Sequence, residues 1–223
     1  MKQFLYLVLV SLLVVGCVPD KKANTGYVKV EIAGRIFKVP KGYFDGAVPS
    51  GRDTESVVLE YSLPGFEVLP SHPLHRKERQ ELIDEGRMKG MLLENASKKP
   101  SFDIVVPNLM HAHEFKKEEN TTYGLEKYMH QVPKPVSSDP AYAPYVQDDV
   151  FIEPNADGSI RSYLMCSPPR KVKIPGCRHH FIDNGLLYQI RWRVAELPSW
   201  REQRKAAIKF IDSLEFKPAE TER

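Results

Sequence analysis

Residues 177–194 read CRHHFIDNGLLYQIRWRV, and this stretch restricts the fold more than any other. Leu186, Tyr188, Ile190, Trp192 and Val194 fall on one side of an extended chain, and Leu187, Gln189, Arg191 and Arg193 on the other. A period of two with one greasy and one charged side describes a strand with one face in the core and one in water. Asn184-Gly185 accepts positive φ, so the two arms close as a hairpin. The apolar face of that hairpin needs a cover, and the sequence supplies one directly afterwards. Ser199-Trp200-Arg201-Glu202 has the spacing of a helix capping box. Trp200, Ala207, Ile208, Ile211 and Leu214 then form a stripe at helical spacing. A sheet whose inner face is roofed by a C-terminal amphipathic helix is the expected nucleus of the fold.

The remainder extends that sheet. Residues 27–44, YVKVEIAGRIFKVPKGYF, alternate on both sides of Ala33-Gly34 and predict a second hairpin, ended by Pro40, which cannot donate to a ladder. SVVLEYSL (56–63) predicts a strand closed by Pro64-Gly65. Residues 73–95 are charged, with sparse apolar positions at Leu82, Ile83, Leu92 and Leu93, and predict an exposed helix weakened by Gly86 and Gly90. SFDIVVPN (101–108) predicts a short strand, TTYGLEKYMHQV (121–132) a turn of helix, and the proline-rich 133–144 an irregular loop. YVQDDVFIEP and SIRSYLMC predict strands on either side of the NADG turn. The order gives the α+β class: an antiparallel sheet with helices packed on one face. IAGRIFKVPKGYF together with the terminal amphipathic helix resembles the PsbP/Mog1-type sandwich in layout.

The N-terminus is a different kind of segment. After Lys2, Phe4 to Val15 is an apolar run of twelve residues, broken only by Ser11 and the Tyr6 hydroxyl. A bilayer-spanning helix needs about twenty residues, so this run fits a signal-peptide core. It ends Val14-Val15-Gly16-Cys17, which resembles the lipobox of bacterial lipoproteins. That resemblance implies cleavage before Cys17, a diacylglyceryl group on its sulfur and an acylated new N-terminus. Position 18 is Val rather than Asp, which in such lipoproteins implies the outer membrane, facing the periplasm. The expected organisation is a signal peptide over 1–16, a lipidated tether over 17–25 and one α+β domain over 26–217.

Without Lys2 the chain carries 31 Lys+Arg against 29 Asp+Glu, a balance that leaves no footprint for nucleic acid. Beyond Cys17 two cysteines remain, Cys166 and Cys177, and in an oxidising compartment such a pair is expected to be bridged. The loop they enclose holds Arg170, Lys171 and Lys173 among Pro168, Pro169 and Pro175. A stiff, disulfide-closed loop loses little entropy on binding, and its cations suit an acidic partner. The alternative is a solvated loop whose charges prevent edge pairing.

No motif for catalysis emerges. There is no Gly-x-Ser-x-Gly elbow, P-loop or Gly-x-Gly-x-x-Gly, so no cofactor is expected. His72 and His75, His111 and His113, and His179 and His180 occur in pairs, yet none has a third ligand at a diagnostic zinc spacing, and a metal site is not expected. A hydrolase with a non-standard site would have to use His111, His113 and His130. Asp148-Asp149 reads as a surface pair at a strand start, and Asn155–Ser159 as a β-turn lacking a calcium-ligand ladder. His179 alternates with Cys177 and Phe181 and is expected to pack beside the disulfide.

Cys177-x-His179-x-Phe181, Asn184-Gly185, Trp192 and Leu197-Pro198-x-Trp200, taken with the lipobox, resemble periplasmic immunity lipoproteins, which pair with antibacterial toxins of type VI or related secretion systems. The resemblance implies a non-catalytic binding protein that occludes a toxin, held to the bilayer through Cys17, with the 166–177 loop as a contact. The competing expectation is an envelope-assembly or structural lipoprotein that binds a cell-wall or outer-membrane partner.

Overall fold

A computed structural model describes residues 26–44, 54–70, 76–111, 114–131, 148–168 and 175–216. Eleven strands and three α-helices lie within them: β1 (Tyr27–Ile32), β2 (Arg35–Pro40), β3 (Ser56–Ser62), β4 (Glu67–Val68), α1 (Arg76–Asp84), β5 (Met88–Asn95), α2 (Phe102–His111), β6 (Phe115–Lys117), β7 (Glu126–His130), β8 (Asp149–Pro154), β9 (Ile160–Cys166), β10 (Gly176–Asp183), β11 (Leu186–Arg193) and α3 (Trp200–Leu214). The fold is of the α+β class. Strands β4-β3-β5-β11-β10-β9-β8-β7-β6 form one nine-stranded sheet, and β1-β2 stand apart as a hairpin. Every pairing is antiparallel. None of the described helices is long and apolar enough to cross a membrane.

Both predicted hairpins form, and for the stated reason. Ala33 and Gly34 have φ of 53° and 75°, and Asn184 and Gly185 have 45° and 77°. Two consecutive positive φ values give the turn whose twist matches paired strands.

The two sides of the sheet are covered differently. On the first side, Val57, Leu59, Leu93, Phe151, Leu164, Phe181, Tyr188, Ile190 and Trp192 meet Val30, Ile32, Phe37 and Val39 of the hairpin and Trp200, Ala207 and Ile211 of α3 in one buried cluster. The C-terminal stripe read from the sequence is the stripe that faces this core. On the second side, Val150, Ile152, Tyr163 and Leu187 pack against Phe102 and Val106 of α2. Phe151 lies in the first cluster and its neighbours Val150 and Ile152 in the second, as alternation across a strand requires. α2 therefore covers part of the face opposite α3.

Three predicted elements differ. Within residues 101–108, expected as a strand, helix α2 begins at Phe102. Ile104-Val105-Val106 is a β-branched run, but Phe102, Val106 and Leu109 share a helical face that seats on the sheet, and burial outweighs propensity. Ser101 Oγ accepts from the Asp103 amide and starts the helix. Residues 126–130, expected as a helical turn, are strand β7. The predicted helix over 73–95 stops at Asp84, and Met88–Asn95 is strand β5 in the interior of the sheet. The stop is local. Gly86 has φ of 71°, its amide donates to Ile83 O, and the Arg87 amide donates to Leu82 O. This is a Schellman ending, which needs a residue tolerant of positive φ.

The capping box at Ser199 does not form as expected. Ser199 starts α3 without a side-chain cap, and its hydroxyl donates to Glu196 O. The reciprocal glutamate bond is made one turn earlier, where Glu196 Oε2 accepts from the Arg193 amide at 2.7 Å and from Lys89 Nζ at 2.6 Å.

Candidate partner-binding surface

The sheet's second side has α1 over one end and α2 over the other. α1 is held by Arg79 donating to Glu60 of β3 at 2.9 Å and by Arg193 of β11 donating to Asp84 O at 2.7 Å. α2 is held by Phe102 edge-on to Tyr163, with ring centroids 5.1 Å apart, and by Asp103 accepting from the Ile160 amide. Between them the strands lie bare. Val58 of β3 is 56 % exposed. Gly90 of β5 has so much room above it that an added Cβ would meet nothing within 4 Å. Leu92 and Gln189 continue this floor as direct cross-strand partners.

One margin of the trough is cationic. Arg178 of β10 and Arg191 of β11 are direct cross-strand partners. Like charges set opposite one another destabilise a strand pair. Arg178 is half-relieved by Asp148 Oδ2 at 3.3 Å, while Arg191 is exposed and has no ion-pair partner among the described residues. His180, on the same face of β10 as Arg178, has its ring stacked on Tyr163 with centroids 4.5 Å apart. Burial, with Arg178 and Arg191 adding to it, pushes the imidazole down to about 4, so the ring is neutral at physiological pH.

The same end of the sheet is clamped. Cys166 and Cys177 are cross-strand partners joined by a disulfide, with Cα atoms 4.1 Å apart. The Ser167 amide donates to Gly176 O, the Val194 amide donates to Pro175 O, and Ser167 Oγ donates to Asp148. Arg170, Lys171 and Lys173 lie outside the described residues. Cys17, His72, His75 and His113 also lie outside them.

The remaining candidates are dispersed. His111 ends α2 and is exposed, and His130 is buried on β7 with Phe115 edge-on to its ring. Asp148 and Asp149, expected at the surface, are buried, with Asp148 serving the clamp. Asp157 accepts from the Ser159 amide and hydroxyl, which is a turn. Among the described residues no group of three or more His, Cys, Asp or Glu is placed to hold a metal ion. His179, on the first side, is fully buried beside Phe181, Trp192 and Trp200, and neither ring nitrogen has a hydrogen-bond partner among the described residues. Burial lowers its proton affinity well below the usual histidine range. An open cleft of about 470 Å³ lies where Leu63, Pro64 and Phe66 meet the end of α1 and the start of α3. On its wall Arg87 donates to Leu63 O and to Glu85, and Glu196 holds Lys89.

Sequence reasoning singled out the loop cations, which lie outside the described residues, and did not anticipate the trough. Its signal was the pairing of Arg178 with Arg191, which the turn at Asn184-Gly185 fixes by simple counting.

No protein-family model matches the chain, and no curated protein matches its sequence. Two solved structures resemble it. One is Smlt3025, an immunity protein of the Stenotrophomonas maltophilia type IV secretion system, at 19 % identity and a TM-score of 0.58 over 86 % of this chain and 94 % of that one. The other is the Neisseria meningitidis iron-regulated outer membrane lipoprotein FrpD, at 10 % identity and a TM-score of 0.47 over 86 % and 93 %. The first likeness is one of fold.

Proposed function

We propose that the chain is a lipid-anchored envelope protein without catalytic activity that binds a protein partner through the trough and its cationic margin. The observation that carries this reading is the Arg178–Arg191 pairing beside a bare stretch of sheet. Two opposed guanidinium groups cost stability in the free protein, and carboxylates on a partner would relieve that cost. Val58, Leu92 and the open space over Gly90 offer apolar floor around which such ion pairs would be desolvated. Arg170, Lys171 and Lys173 lie between the two bridged cysteines in sequence, and in this reading they are further contacts for an acidic partner.

The partner class is an antibacterial toxin, which the protein would disarm by occlusion. The immunity protein that shares the fold motivates this choice, together with the lipobox resemblance. In this reading residues 1–16 are removed, Cys17 carries the lipid, residues 17–25 tether the body over 26–217, and the protein faces the periplasm from the outer membrane. The test is protection. The secreted product of the neighbouring gene is exported to the periplasm of a sensitive host with and without this chain. Survival only in its presence is expected, and should be lost on replacing Arg178 and Arg191 with Glu. Killing that proceeds regardless, in cells that accumulate the folded chain, refutes the toxin reading. An envelope defect on deleting the gene, with no such protection, would favour an assembly role.

A further inference from the structure

The hairpin β1-β2 turns one side into the core and the other to solvent, and the outer side has its own opposed cations. Lys29 and Lys38 are direct cross-strand partners, and both are exposed. Neither has an ion-pair partner among the described residues. Lys38 Nζ instead sits 3.8 Å above the ring of Phe216, itself 37 % exposed. Tyr27, in line with Lys29 on the same side, is 66 % exposed. Lys41 lies against Gly26 at the point where the described chain begins: its backbone amide donates to Gly26 O, and its Cε would be 3.0 Å from a Cβ at Gly26. Glu31, opposite Ile36, is an acid on this face.

Lysines flanking aromatic rings suit a phospholipid surface. Tyrosine settles at the headgroup level, and lysines meet anionic headgroups. The chain's length brings the two together. Gly26 lies nine positions beyond Cys17, a reach of about 30 Å when fully extended, and Lys21 and Lys22 lie along it.

We propose that the outer face of the β1-β2 hairpin rests on the anionic phospholipid surface to which the chain is tethered; this rests on the lipid-anchor reading above. The consequence is orientation. The hairpin covers the first side of the sheet, and the trough with Arg178 and Arg191 is on the second. Seating the hairpin on the bilayer turns the trough away from it, towards any partner arriving through the periplasm.

The full chain is purified from a lipidating host, its mass is measured, and it is reconstituted into vesicles of phosphatidylcholine with or without phosphatidylglycerol. An environment-sensitive fluorophore is attached at Tyr27→Cys or at Val58→Cys, and quenching by bromolipid is read. Quenching at position 27 several-fold above that at position 58 is expected in the anionic vesicles. It should fall to the level of position 58 without phosphatidylglycerol, or in Lys29→Glu/Lys38→Glu, while Lys29→Arg/Lys38→Arg retains it and all variants melt alike. Equal quenching at the two positions in an acylated protein overturns the orientation and leaves the anchor standing. A mass with no acyl group overturns the anchor, and the orientation with it.

Discussion

The two sides of the central sheet carry residues from the same strands, yet they do opposite things. On the first side Trp192, Tyr188 and Ile190 of β11 are sealed under α3 and the hairpin, and the fully buried His179 packs against Phe181, Trp192 and Trp200 of this cluster. On the second side Leu187 packs with α2, but Gln189 two residues later is only half-buried and Arg191 four residues later is exposed. One strand thus reads as core, and then as surface, depending on which alternate residues are followed. The larger buried cluster lies on the first side; the second keeps a smaller one under α2, next to exposed positions whose side chains can change at little cost. A binding protein that must track a changing partner gains from that division.

The sharpest way to break this comparison is to open the first side. Trp200→Ala removes a buried indole that donates to Tyr123 O and should cost about 3–5 kcal/mol, read by urea denaturation. An effect as small as that of a trough substitution would mean the roof is not where the stability resides.

Next in size is the clamp. Replacing Cys166 and Cys177 together with Ser should cost about 3 kcal/mol on the chain-entropy account of a loop this short. Loosening of the loop should weaken partner binding as well, so the same variant should lose protection beyond what its melting temperature explains.

Acid separates the two sides by a smaller step. His179 is held neutral by burial on the first side, and His180 is held neutral on the second. Unfolded, each binds a proton below about 6.5. The unfolded state then holds more protons than the folded one, so stability falls as pH drops through this value. For His180 the loss continues down to about pH 4. Each site contributes a slope of up to about 1.4 kcal/mol per pH unit. His179→Leu should flatten the acid limb by about one such slope, as measured by denaturation at a series of pH values. An unchanged limb would show that His179 takes its proton in the folded state.

The smallest effects on stability belong to the trough. Val58→Ala and Arg191→Gln should each shift folding by less than about 0.5 kcal/mol, since both side chains are exposed. Arg191→Gln should if anything stabilise, because it removes one of two opposed cations.

Legibility in the sequence followed the same divide. The first side could be read because its signals are local: alternation in residues 186–194, the Asn184-Gly185 turn and the stripe of α3 are each visible within one window. β5 was hidden because Met88–Asn95 follows a charged helix without a polar break, and the stop lies in Gly86, whose role depends on its φ. α2 was hidden because Ile104-Val105-Val106 favours extended chain on its own, and only the sheet beneath Phe102 and Val106 makes the helix worthwhile. The trough could not be read as a surface at all, since it is defined by where α1 and α2 leave the sheet bare. Its cations could be paired from the hairpin register alone, and the loop cations from composition. The clamp at Cys166–Cys177 closes the strand ends next to Arg178.

The central claim is that the second side of the sheet is the binding side. The direct measurement is the affinity of the mature protein for the neighbouring gene's secreted product by calorimetry, with charge reversal on each side in turn. The account predicts a complex that Arg178→Glu/Arg191→Glu weakens by at least tenfold and Lys29→Glu/Lys38→Glu leaves unchanged. A complex that tolerates the arginine reversals and is lost with the lysine reversals would contradict it.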